Sequence, residues 1–162
     1  MLLTYSCSEP VEEHDEIDLV DSVVAPIEDA AEDGFDAELA KKLGADEYGM
    51  ASYVIAFLKK GPNRDMTHDE AMSLQVAHLD NIQRLADEGK LVVAGPFMDS
   101  GDLMGIYVFN VATLEEAREL TATDPAIERG SLVMELHSWY GSAAMKEING
   151  IHSRIMAKSV TE

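Results

Sequence analysis

The sequence holds a single cysteine, Cys7, in 162 residues. No disulfide can form within the chain, and no C-x-x-C pair exists to hold a metal or exchange thiols. Positive charge is the next scarcity. Lys and Arg number 12 against 31 Asp and Glu, a formal net charge of −19. A surface this negative repels phosphate backbones and anionic headgroups, and no run of Lys or Arg offsets it. Nucleic acid is therefore not an expected partner. No apolar stretch approaches the ~20 residues that a membrane span needs. No H-x-x-x-H or clustered-carboxylate spacing suggests a metal, and the sequence holds no Gly-rich phosphate loop or G-x-S-x-G elbow. Neither a metal nor a cofactor is expected.

What is there reads as a globular chain. Hydrophobic residues make up 46% and charged residues 27%, and the length suits one domain with a proper core. The acidity is uneven. Residues 1–50 hold 15 Asp and Glu against 2 Lys and Arg, a net of −13, whereas residues 51–162 carry a net of only −6. Residues 1–35 accordingly read as a disordered acidic tail. At its start, Leu3-Thr4-Tyr5-Ser6-Cys7-Ser8-Glu9 is similar to the end of a bacterial lipoprotein signal, although no charged and apolar regions precede it. Two expectations stay open: a cytoplasmic protein with a chance cysteine, or an exported envelope lipoprotein anchored at Cys7.

Residues 36–50 read as a short helical extension, with Asp36 as N-cap, Leu39 and Leu43 on one face and Gly44 as C-cap. From residue 51 the pattern sharpens. Ser52–Lys59 is rich in β-branched and aromatic residues and predicts a strand, which Gly61-Pro62-Asn63 ends. Thr67-His68-Asp69-Glu70 is a capping box that opens a long helix, and Gly89 stops it. Leu91–Ala94, Leu103–Val111 and Ser131–Tyr140 predict three more strands. Thr113 to Glu116 is a second capping box, opening a shorter helix that ends at Asp124-Pro125. Residues 142–162 read as a C-terminal helix striped with Met145, Ile148, His152, Ile155 and Met156.

The order β-α-β-β-α-β over residues 51–141 is an α+β, ferredoxin-like arrangement. Its helices lie on one face of the sheet, so the other face of a monomer should be polar. Instead, Tyr53, Ile55 and Phe57 alternate with Val54, Ala56 and Leu58, and Met104, Ile106 and Val108 alternate with Tyr107 and Phe109. Both faces need cover. A second copy packed sheet to sheet supplies it most simply; the tail or the C-terminal helix is the alternative.

One titratable side chain sits where burial is expected. On a helical wheel, Ala71, Met72, Leu74, Leu79, Ile82, Leu85 and Ala86 share a face, and His78 falls in its middle with Gln75 beside it. A ring there is either a satisfied core histidine or a general acid or base in an internal pocket. Asp124 is either a turn opener before Pro125 or the carboxylate that orients such a histidine. Spacing alone cannot bring the two together. In the last strand Val133, Glu135, His137 and Trp139 point one way, and Glu135 and His137 either line a cavity or pair in solvent.

Several of these elements together resemble the YCII-related family. They are HLDNIQRLADEGKLVVAGPF from His78 to Phe97, the Gly105 strand, the helix ending in Thr123-Asp124-Pro125, and Ser138-Trp139-Tyr140. The resemblance implies a dimeric α+β barrel, and hence a homodimer. It implies a His–Asp acid–base pair, at His78 and Asp124, and a pocket wall at Ala94-Gly95-Pro96. Gly95 and Pro96, with His137, Trp139 and Tyr140, are the expected binding residues for a small molecule. The function it implies is a cofactor-independent lyase or isomerase acting on a small hydroxylated cyclic or aromatic compound. The alternative is a non-catalytic small-molecule-binding or accessory dimer.

Overall fold

The computed structural model describes residues 34–158. The expectations for the acidic tail and for Cys7 lie outside the described residues. The elements are α1 (Ala37–Leu43), β1 (Met50–Lys60), α2 (His68–Asp87), β2 (Leu91–Pro96), β3 (Leu103–Phe109), α3 (Leu114–Thr121), α4 (Pro125–Glu128), β4 (Leu132–Ser142), a 3₁₀ turn (Ala143–Glu147) and α5 (Ile148–Ile155). The strands form one sheet in the order β2-β3-β1-β4, with every neighbouring pair antiparallel. This is the ferredoxin-like α+β fold that the pattern predicts. No helix among the described residues is long and apolar enough to cross a membrane.

Register decides what faces the helices. Ala56 lies opposite Tyr107 on one side and Leu136 on the other. Val54, Ala56, Leu58, Tyr107 and Phe109 therefore share a face, and with Leu85 of α2 and Ala117 of α3 they form the main core. Leaving β1, the chain passes close under the start of β4. The Gly61 N–H donates to the Ser131 carbonyl at 2.9 Å, and a Cβ on Gly61 would sit 2.3 Å from the Gly130 carbonyl oxygen. Only glycine fits there.

Three elements differ from the expectation. β4 continues to Ser142 because β1 starts at Met50 and offers it partners as far as the Met50–Ser142 pair. After Ser142 the chain makes a 3₁₀ turn and an eight-residue helix rather than one long helix. Asp124-Pro125 closes no more than a turn before opening α4, with Asp124 as N-cap and Pro125 in the first helical turn.

The second face of the sheet is covered over part of its length by the chain itself. Leu43 of α1, with Ala143 and Met145 of the 3₁₀ turn, packs against Tyr53, Val92 and Val108. Lys146 Nζ donates to the Leu43 carbonyl at 2.7 Å, and Lys42 pairs with Glu147 at 2.9 Å, joining the two covering pieces. Toward the other end, Phe57 and Ile106 stay half-buried and Val133 is 42% exposed.

Candidate active site

The long helix α2 begins at a complete capping box. The Thr67 hydroxyl accepts the Glu70 N–H at 3.3 Å, and the Glu70 carboxylate accepts the Thr67 N–H at 2.7 Å. Those hydrogen bonds, the backbone one first, hold the Glu70 carboxyl below its ordinary range. Three turns on, His78 points into the fold, 8% exposed.

Asp124 meets it there, 1% exposed. His78 Nδ1 lies 2.8 Å from Asp124 Oδ2 and 3.0 Å from Oδ1. An ionised carboxylate only accepts hydrogen bonds, so Nδ1 carries the proton and Nε2 of the neutral ring keeps the lone pair. Asp124 Oδ1 also accepts the Ala126 N–H at 2.9 Å, the capping bond of α4. Asn81, three residues along α2, braces the same turn. Its Oδ1 accepts from the Thr123 hydroxyl at 3.1 Å and from Arg84 at 2.8 Å.

Tyr107 is a third member, 2% exposed, which the alternation of β3 does not single out. Its hydroxyl lies 3.3 Å from His78 Nε2 and 3.5 Å from Asp124 Oδ2. Burial first, then the charge and hydrogen bond of Asp124, push its phenol well above the ordinary tyrosine range, so it is a donor at neutral pH. Its one proton goes either to Asp124, leaving the Nε2 lone pair available, or to Nε2, occupying it.

His78 and Tyr107 open onto a cavity of about 900 Å³. Its walls are mostly apolar: Leu79 and Ile82 of α2, Gly95 and Pro96 at the end of β2, and Ile148 and Met156 at the C-terminal helix. A volume near the top of the small-molecule range, lined by apolar groups with a few convergent polar ones, suits an organic ligand. Asp124 stands behind the ring, outside the cavity wall. The arrangement can take up a proton at Nε2 while the carboxylate holds the ring and balances the charge that appears on it.

The other expected binding residues lie elsewhere. His137 is on the opposite sheet face, its Nε2 2.8 Å from Glu135 Oε1, with Lys59 on the same carboxylate. Lys59 first, then His137, hold the Glu135 carboxyl below its ordinary range. Trp139 shares that face, its ring 5.9 Å from Tyr53 and folded over Gly141. Tyr140 donates to the Asp46 carboxylate beside the α1–β1 turn, a bond that raises the phenol and lowers the acid. The structure brings none of the three to the His78 cavity, because their alternation and position along β4 carry them to the far face or the far end. Among the described residues no group of three or more His, Cys, Asp or Glu is placed to hold a metal.

A scan against protein families matches residues 53–139, more than half of the chain, to the YCII-related domain. The chain belongs to the YCII-related family. Among curated relatives, the uncharacterised protein YjpA of Bacillus subtilis is 36% identical over 62 residues, which is 38% of this chain and 71% of YjpA. Among solved structures, the 5-chloro-2-hydroxyhydroquinone dehydrochlorinase TftG of Burkholderia phenoliruptrix, in complex with 2,5-dihydroxybenzoquinone, is similar at 20% identity and a TM-score of 0.41. That likeness covers 55% of this chain and 93% of TftG, and at that level it transfers neither substrate nor mechanism. In this YCII-related domain His78 and Asp124 lie 46 residues apart in sequence and in contact in space.

Replacing Asp124 tests how much the fold depends on that contact. Asp124→Ala orphans the His78 Nδ1–H and the Ala126 N–H together, and should cost roughly 3 kcal/mol. Urea unfolding followed by circular dichroism reads it; a loss below about 1 kcal/mol would mean that the buried donors find other partners.

Proposed function

We propose that this YCII-related protein is a proton-transfer enzyme, a lyase or isomerase acting on a small hydroxylated cyclic or aromatic compound. The observation that carries the reading is the 2.8 Å contact between His78 and Asp124 at the wall of an apolar cavity. In the proposed reaction His78 Nε2 takes a proton from carbon or oxygen next to a carbonyl or a leaving group. The electron pair left behind forms the new double bond and either expels the leaving group with its electrons or shifts into the carbonyl. Asp124 keeps the proton on Nδ1 and balances the imidazolium charge. Tyr107, protonated at neutral pH, donates to the oxygen on which charge gathers. Gly95 and Pro96 line the pocket, and beyond its own chain neighbours no atom lies within 4 Å of where a Gly95 side chain would begin.

One observation favours the second reading, a non-catalytic binding or accessory domain. With Tyr107 donating to Nε2 at 3.3 Å, both ring nitrogens of His78 are satisfied inside the fold, as a structural histidine requires. His78→Gln separates the two readings on a panel of hydroxylated aromatics and lactones. The enzyme reading expects an intact fold, retained ligand binding and turnover lower by about 10² to 10⁴. A wild type that turns over nothing on the panel, with a variant that melts several degrees lower, would contradict it.

The assembly belongs to the same proposal. The uncovered end of the sheet, with Phe57, Ile106 and Val133, is proposed to pack on the same face of a second copy. Lys59, Glu135 and His137 stand on this face as a mutually paired polar group, which lowers the cost of covering it. Sedimentation at micromolar concentration should show a species of at least twice 17.7 kDa. A clean monomer would contradict the dimer.

A further inference from the structure

The charge lining the cavity is unlike that of the chain around it. Over the whole sequence acids outnumber Lys and Arg 31 to 12. Around the cavity the excess of acid is gone: one arginine, Arg64, lines it against one carboxylate, Asp87. Three of the four histidines among the described residues stand in this wall. The remaining wall is mostly apolar, and a charge is felt more strongly beside apolar surface than in open solvent.

Arg64 is held by the same run of hydrogen bonds that holds the His–Asp pair. Its Nη1 donates to the Ser131 carbonyl at 3.0 Å. Ser131 is tied to Ala126, whose carbonyl accepts the Ser131 N–H at 3.0 Å and the Ser131 hydroxyl at 3.1 Å. The Ala126 N–H donates to Asp124 at 2.9 Å, and Asp124 holds His78. A continuous set of contacts therefore runs from the guanidinium to the ring. Apart from Nη1, the guanidinium makes no hydrogen bond among the described residues, and Arg64 is one of the residues that line the cavity.

We infer that the cavity takes a small organic anion, with the ligand's carboxylate paired to Arg64 and its body lying against the apolar wall toward His78. A planar guanidinium fork matches a carboxylate with two parallel hydrogen bonds, which an ammonium or an imidazole does not offer. The anion site stands on the lining of the cavity; only its use as a substrate site rests on the acid–base reading above. In that use Arg64 orients the ligand so that the carbon or oxygen to be deprotonated reaches Nε2.

Salicylate and salicylamide are probes of nearly equal shape that differ in charge. Titration calorimetry on the full chain should find salicylate bound about tenfold more tightly, the size of one charge-assisted hydrogen-bond pair. Arg64→Gln keeps a donor for the Ser131 carbonyl and removes the charge. It should erase the salicylate preference while leaving salicylamide binding and the melting temperature unchanged, and Arg64→Lys should restore part of the preference. Equal affinity for the two probes, no binding of either at millimolar concentration, or an equal loss of both in Arg64→Gln would overturn the anion site. His78→Gln keeps the outcomes apart. Salicylate binding that depends on Arg64 in a protein without turnover sinks the acid–base reading and leaves the anion site standing. Turnover that His78→Gln abolishes, in a protein that binds salicylate no more tightly than salicylamide, does the reverse.

Discussion

A carboxylate that is 1% exposed must be met by donors, and Asp124 draws them from three separate parts of the chain. The His78 ring comes from α2, the Ala126 amide from the turn that Asp124 itself caps, and the Tyr107 hydroxyl from β3. Meeting that requirement fixes where α2 lies over the sheet and where the chain turns between α3 and α4. The Asn81–Thr123 hydrogen bond repeats the constraint one turn along α2. The same contacts that settle the packing also settle the tautomer of His78. Structure and candidate chemistry thus rest on one buried carboxyl group, which is why removing it and removing the ring are expected to read out differently.

Much of this fold is legible in the sequence because its signals are local. The capping box at Thr67, the Gly89 stop and the alternation through β1 and β3 each act within a few residues, and the structure follows them. The Asp36 cap and Gly44, with its left-handed φ of 59°, set the ends of α1 in the same way. α4 was less visible, since Asp-Pro closes a turn as readily as it opens a helix. The continuation of β4 to Ser142 depends on β1 starting at Met50, a pairing between segments about ninety residues apart that no local pattern encodes. His78 stood out because a polar ring in an apolar stripe needs an explanation. The pairing of Asp124 with His78 came from family resemblance, as no spacing rule joins residues so distant. Tyr107 had a signal, its helix-facing position opposite Ala56, but a tyrosine on a core face is ordinary until its hydroxyl is seen beside a histidine. Arg64 carried none, lying in a loop whose path is set by glycine and backbone contacts with Ser131.

The second sheet face shows a similar division. Its apolar side chains called for cover, and the chain itself supplies part of it through α1 and the 3₁₀ turn. The cover is asymmetric along the strands, shielding Tyr53 and Val108 and leaving Phe57 and Val133 more open. α5 continues directly from this clasp. Its Asn149 side chain donates to the Leu91 carbonyl at 2.7 Å, which brings Ile148 and His152 to the wall of the His78 cavity. The extensions outside the family domain therefore shape both the sheet face and the pocket.

The central claim is that Asp124 fixes the His78 ring with its proton on Nδ1. Nitrogen-resolved NMR of the histidine rings in the full chain measures this directly. The account predicts Nδ1 protonated at neutral pH, with its proton shifted downfield by the carboxylate and the signal lost in Asp124→Asn. A His78 ring protonated only on Nε2 would contradict it, because Nδ1 would then have nothing to donate to the buried carboxylate.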